Sequence, residues 1–124
     1  GDSLIQRRNK YVYKIGFAEA LFTSKDLPDS MMVAKMDSLL ADTTQKRFIA
    51  WTTRDTRFPI SDDPAECEKL YYERLFGTLR IIADLAKKHT NVRFIVQGDH
   101  EPILSPLEFQ AKFYRRWVPY VVLN

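Results

Sequence analysis

A carboxylate and an imidazole stand side by side at Asp99 and His100, inside the run Gly98-Asp99-His100-Glu101-Pro102. Two such groups in one turn can face a single divalent ion. The pairing of a hard oxygen with a borderline nitrogen suits Zn²⁺ or Mn²⁺. Gly98 would let the chain bend sharply, and Pro102 would stiffen its exit. By itself the dipeptide also describes a polar turn with no ligand role. The chain has two histidines and one cysteine, which excludes a self-contained structural zinc site of four Cys/His ligands. The lone cysteine, Cys67, has no partner for an internal disulfide and is expected to be inert, and its presence leaves the compartment open.

The run follows Val92-Arg93-Phe94-Ile95-Val96-Gln97, the clearest strand in the sequence. Ligands of open α/β sheets gather beyond the carboxyl ends of strands, where loops converge while strand side chains stay committed to packing. The elements before it alternate. Tyr11 to Ile15 predicts a strand closed by Gly16, and a loop through Asp26, Pro28 and Asp29 leads to a helix from Met31 to Leu40. In that helix Met32, Met36, Leu39 and Leu40 recur at helical spacing as core filler. Arg47 to Thr53 predicts a second strand, apolar enough to be buried on both faces.

A long helix then starts at Asp63-Pro64 with Glu66 in its first turn. Leu70, Leu75, Leu79, Ile82 and Leu85 carry its apolar stripe, and Lys87, Lys88 and His89 close it. Gly77 inside the helix predicts close packing against a neighbour. Beyond the Asp99-His100 turn, Ser105-Pro106-Leu107-Glu108 has the form of a capping box, opening a short helix to about Arg115. Val118 to Leu123 predicts a last strand. This order predicts a single α/β domain over 1–124, with a mainly parallel sheet of about four strands and helices on its faces.

The size suits that expectation: 124 residues with 45% apolar content can bury a core without disulfide or metal staples. A net charge of +3 spread over scattered Lys and Arg is no nucleic-acid signature. The basic pairs Arg7-Arg8, Lys87-Lys88 and Arg115-Arg116 are read as solvated faces, with attraction of a phosphate-bearing or anionic surface as the alternative. No run of about 20 apolar residues occurs.

The segment 84–123, with its long helix, apolar strand, Gly-Asp-His turn and final Val118-Pro119-Tyr120-Val121-Val122, resembles the carboxyl-terminal half of sulfatases, phosphoethanolamine transferases and lipoteichoic-acid-synthase-like phosphoglycerol transferases. These belong to the alkaline phosphatase/sulfatase superfamily, whose corresponding strand ends in Asp-His. Upstream, Ile15-Gly16-Phe17, Asp26-Leu27-Pro28-Asp29, Phe48 to Thr53 and Phe58-Pro59 look like consecutive landmarks of the same family, so the resemblance spans roughly residues 11–123.

The resemblance implies that Asp99 and His100 are metal ligands, for Mn²⁺, Zn²⁺, Mg²⁺ or Ca²⁺, with Glu101 able to orient His100. It also implies a substrate contact just before the aromatic-Pro pair, where the family often has a His and this chain has Arg57. An Arg can hold a phosphate or sulfate through its planar fork, but it cannot transfer a proton there. Arg74 and Thr78 stand where relatives frequently have an Asp. The family's first metal ligand and its Thr, Ser or formylglycine nucleophile lie well before the matched region.

The chain is therefore expected to be the carboxyl-terminal part of a larger sulfatase-like catalytic domain, contributing half of a metal site and inactive alone. Its partners would be a phosphate or sulfate ester, lipid- or glycan-linked, the missing amino-terminal half, and a second copy through the surface left uncovered. The implied location is the bacterial cell envelope, outside the inner membrane. A noncatalytic module that binds an anionic glycan, lipid headgroup or protein is the first alternative, and a complete small α/β protein with an accidental Asp-His turn is the second.

Overall fold

In a computed structural model of the chain, the described residues are 12–15, 18–22, 28–44, 47–100, 105–113 and 118–124, with the first two stretches described by their backbone. The chain divides into two compact units, Gly1–Arg54 and Asp55–Asn124, which are taken separately.

In the first unit, strand β1, Val12–Ile15, pairs antiparallel with β2, Ala18–Phe22, with Val12 opposite Leu21 and Ile15 opposite Ala18. Strand β3, Phe48–Thr52, lies parallel to β2, with Ala18 opposite Phe48 and Phe22 opposite Thr52. A parallel pair needs a crossover. Here it runs through a 3-10 turn, Asp29–Met32, and helix α1, Val33–Ala41. Met32, Met36 and Leu40 recur every four residues along it and are buried, as their spacing requires.

Polar ties among the described residues help hold this crossover. The Arg47 guanidinium donates to Leu39 O at 3.2 Å and to Asp42 Oδ2 at 2.7 Å, joining the end of α1 to the start of β3. Asp29 is fully buried, and its Oδ1 accepts from Arg54 N at 2.7 Å, joining the start of the crossover to the exit of β3. A buried carboxylate must find such donors, because stripping water from an ion without compensation is expensive.

In the second unit, helix α2, Pro64–Lys88, begins as its sequence predicts. Asp63 Oδ1 accepts from Ala65 N at 3.1 Å, with Pro64 in the first turn and Glu66 near the positive end of the dipole. Cys67, Thr78, Ile82, Leu85 and Ala86 are its buried positions, and Cys67 is wholly inaccessible. Gly77 is on the exposed side, and a Cβ built there meets nothing within 4 Å. The expected close packing at Gly77 is thus corrected. Its only effect is the conformational cost of glycine in a helix, so Gly77→Ala is expected to stabilise the protein by about 0.5–1 kcal/mol, read as a higher denaturation midpoint.

Strand β4, Phe94–Gln97, pairs antiparallel with β5, Tyr120–Leu123, with Phe94 opposite Leu123 and Gln97 opposite Tyr120. Between them, helix α3, Leu107–Gln110, makes one turn. Asn124 continues past β5 with φ 67°, a left-handed conformation that Asn tolerates. Its side-chain amide donates to Ala86 O at 2.9 Å, His89 O at 3.1 Å and Val92 O at 3.0 Å, so two protons serve three carbonyls. Asn124→Asp keeps the shape, removes both donors and sets a carboxylate against the negative end of α2. It is expected to cost about 2 kcal/mol in chemical denaturation.

The class is mixed α/β, but the expected parallel sheet of about four strands is not what the described residues form. There is a three-stranded sheet in the order β1-β2-β3 with one parallel pair, and a separate two-stranded antiparallel ribbon β4-β5. One cause is visible. Ala18-Glu19-Ala20 lacks β-branched residues, so propensity does not mark β2 as a strand, yet it takes the place beside β1 and β3.

Two smaller expectations also change. Strand β3 alternates, with Phe48 59% exposed and Ile49 half-buried, because in a sheet of this size it is not covered on both faces. The residue preceding α3 is Pro106, with no side-chain cap, so Ser105 and Glu108 do not form a capping box.

Candidate functional site

Asp99 and His100 lie just past the carboxyl end of β4, where the sequence places them. The approach is set by the ribbon: Gly98 N donates to Pro119 O at 3.1 Å, extending the β4-β5 ladder by one bond. Gly98 has no positive φ, and a Cβ there would meet Val118 Cβ at 3.5 Å, an ordinary contact. The bend does not depend on glycine's freedom, which corrects that expectation.

The two side chains converge. Asp99 Oδ1 accepts from His100 N at 2.9 Å, which fixes the carboxylate against the backbone of the turn. Its other oxygen, Oδ2, is 3.4 Å from His100 Nε2. Ligands held at about 2.0–2.1 Å from a tetrahedral ion stand about 3.4 Å apart, so one cation can take both atoms at this separation. With a protonated imidazole the same pair is an ion pair. Asp99 is 73% exposed and His100 58%, so a bound ion would keep water in its remaining positions. No group of three or more His, Cys, Asp or Glu able to hold a metal occurs among the described residues. Glu101 lies outside them, as do the basic pairs at 7–8 and 115–116.

Arg57 is exposed and makes no hydrogen bond or ion pair among the described residues. Its position is set by its neighbour. Phe58 stacks on Tyr71 at 5.6 Å between ring centroids and tilts against Phe109 at 5.9 Å. Phe109 also meets Tyr71 edge-on at 5.4 Å and Phe113 at 5.1 Å, so the loop before α2, the amino-terminal turns of α2, and α3 share one ring cluster. Edge-to-face and offset pairs at such distances each add about 0.5–1.5 kcal/mol to what burial supplies.

Tyr71 is not among the residues that the sequence pattern singles out. Its phenol is pushed above its ordinary value of 10.0, first by burial and then by the charges of Tyr72 and Asp99. Burial disfavours the phenolate, so the hydroxyl remains a neutral donor at physiological pH. The signal in the sequence was a pair of tyrosines in the early turns of a helix that is followed by a strand ending in Asp-His. Elsewhere, a groove of about 210 Å³ is lined by Pro64, Ala65, Glu68, Glu108, Phe109 and Lys112. Lys112 pairs with Glu68 across it. None of its lining residues was expected to do chemistry.

No helix among the described residues is long and apolar enough to cross a membrane. Comparison of the chain with family models, with curated proteins and with solved structures gave no match.

Proposed function

We propose that the turn after β4 is half of a divalent-metal centre in a metal-dependent phospho- or sulfo-ester hydrolase or transferase, of the kind that the alkaline phosphatase/sulfatase resemblance implies. The observation that carries this is the 3.4 Å separation of Asp99 Oδ2 and His100 Nε2 at a strand's carboxyl end. In such a centre the ion, of the Mn²⁺, Zn²⁺, Mg²⁺ or Ca²⁺ class, lowers the pKa of a nucleophile and neutralises charge developing on a phosphate or sulfate oxygen. Asp99 and His100 would hold it, Arg57 would offer its fork to the oxyanion, and Glu101, which lies outside the described residues, is the carboxylate that the resemblance offers to orient His100. The remaining ligands and the nucleophile belong to polypeptide outside the region of resemblance. In this reading the substrate is a lipid- or glycan-linked ester and the setting is the outer side of a bacterial inner membrane.

The test is a Mn²⁺ titration of the chain followed by electron paramagnetic resonance of the free aquo ion. One saturable site, displaced by Zn²⁺, is expected. A titration indistinguishable from buffer sinks the reading. A second reading, a noncatalytic module derived from such an enzyme, is favoured by the lack of a third ligand among the described residues. It predicts that an anionic glycan or lipid headgroup binds equally well with and without added metal.

A further inference from the structure

Helix α2 buries one side, through Cys67, Thr78, Ile82 and Leu85, and leaves the opposite side to solvent. Along that outer side Lys69, Glu73, Phe76, Gly77, Arg80 and Asp84 fall within an arc of about 100° at ~100° per residue. All six are exposed. A solvated face needs its charges in no particular order, but here the order is symmetric. It reads base, acid, Phe, Gly, base, acid, so a second helix laid end for end sets each acid on a base and each Phe on a Gly.

The centre of this face has a knob and a notch. Phe76 is 63% exposed, and Tyr72 stacks on it from the previous turn at 6.3 Å between ring centroids, which steadies the ring. Beside it, a Cβ built on Gly77 meets nothing within 4 Å. Within one chain the missing side chain only costs helix stability. Against a second helix it lets a ring sit down on the backbone.

The flanking charges have no partners of their own. Lys69, Glu73, Arg80 and Asp84 make no hydrogen bond or ion pair among the described residues. A spacing of four residues would let Lys69 reach Glu73, and Arg80 reach Asp84, within the helix. In both pairs the base precedes the acid, which is the weaker order.

We propose that the chain forms a two-fold dimer in which the outer face of α2 packs antiparallel on the same face of a second copy. The Phe76 ring of each copy sits on Gly77 of the other. One turn from the centre, Glu73 of each copy meets Arg80 of the other, and two turns out Lys69 meets Asp84. All these pairings belong to one register, centred between residues 76 and 77. A contact of this isologous kind closes on itself and stops at two copies.

The same charges count against the other arrangements. A parallel, in-register pair sets each charge against its own copy. An antiparallel slip of one turn sets Glu73 against Asp84 in one direction and Lys69 against Arg80 in the other. Such complementarity fixes register and orientation more than it adds affinity. The ion pairs lie at the rim, where each contributes little, and one ring per copy fills the centre, so the dimer is weak and sensitive to salt. The proposal concerns the outer side of α2 and does not depend on the metal centre.

The test is sedimentation velocity of the whole chain at low salt, from about 10 µM to about 1 mM. Wild type is expected to show a reversible monomer–dimer equilibrium in this range, weakened several-fold at about 0.5 M NaCl. Glu73→Arg and Arg80→Glu should each weaken it about tenfold or more, because each sets like charges together on both sides of the two-fold axis. Mixed in equal amounts, the two variants should restore the dimer to within about threefold of wild type, since each presents the charge that the other lacks. Lys69→Glu and Asp84→Lys repeat the design at the outer pair with the same expected pattern, and thermal melts confirm that all four variants fold.

A wild type that stays monomeric at about 1 mM overturns the proposal and leaves the face to another partner or to solvent. A dimer that none of the four variants weakens lies on a different surface, such as the exposed apolar side of the ribbon, and overturns it as well. So does a loss in the single variants that their mixtures do not restore, which would trace the effect to the helix itself and not to a contact between copies.

Discussion

Replacing His100 or Asp99 by Ala is expected to lower Mn²⁺ affinity by about a hundredfold or more. Groups that merely orient a ligand already cost about 10–100-fold when removed, and these two are the proposed ligands among the described residues of the turn. In the proposed centre, the Asp99 Oδ2 to His100 Nε2 distance of 3.4 Å would let one ion be shared, so that a single remaining ligand would no longer make a site. The double variant should accordingly be little worse than either single one, a non-additivity characteristic of groups acting as a unit. Electron paramagnetic resonance of free Mn²⁺ measures this directly. The wild-type melting temperature should rise with added metal and that of the variants should not. Unchanged affinity in either single variant would place the ion elsewhere. The chain alone is also expected to leave aryl phosphates and sulfates intact. Turnover abolished by His100→Ala would show that the site is not divided between this chain and further polypeptide.

Phe109→Ala is expected to be the most destabilising single substitution in the second unit, at about 3–5 kcal/mol. Phe109 is 1% exposed and contacts Phe58, Tyr71, Tyr72 and Phe113 through its ring. Truncation leaves a cavity among rings that belong to different segments and cannot all collapse into it. A loss of this size is a large part of the roughly 5–15 kcal/mol that holds a typical domain together. Urea denaturation reads the effect, and Phe109→Leu, which refills most of the volume, should recover much of it. If Phe109→Ala costs less than about 1 kcal/mol, the ring cluster does not organise this unit.

Much of the local structure was legible. Asp63-Pro64 with Glu66 marked the start of α2 because capping is a short-range exchange of donors and acceptors, and the side-chain bond from Asp63 to Ala65 N is there. The four-residue spacing of Met32, Met36 and Leu40 identified a buried stripe because helical periodicity is a property of the backbone alone. The end of β4 was placed to within a residue or two, and with it the two candidate ligands. Less legible were features that depend on partners distant in sequence. Ala18–Phe22 is a strand through the neighbours it finds and not through its own propensities, and Gly77 signalled contact where the fold leaves open space.

What the sequence determined was therefore the elements and the chemistry each can carry: a long capped helix, an apolar strand, and a carboxylate beside an imidazole at that strand's end. Tertiary structure decided how the strands combine, one parallel pair in a sheet of three and a separate antiparallel ribbon, and which rings gather around Phe109. The reason is physical. Caps, turns and periodicity are settled by atoms a few residues apart. Sheet partners and site neighbours are settled by connection length and by burial against groups tens of residues away, which no local pattern records.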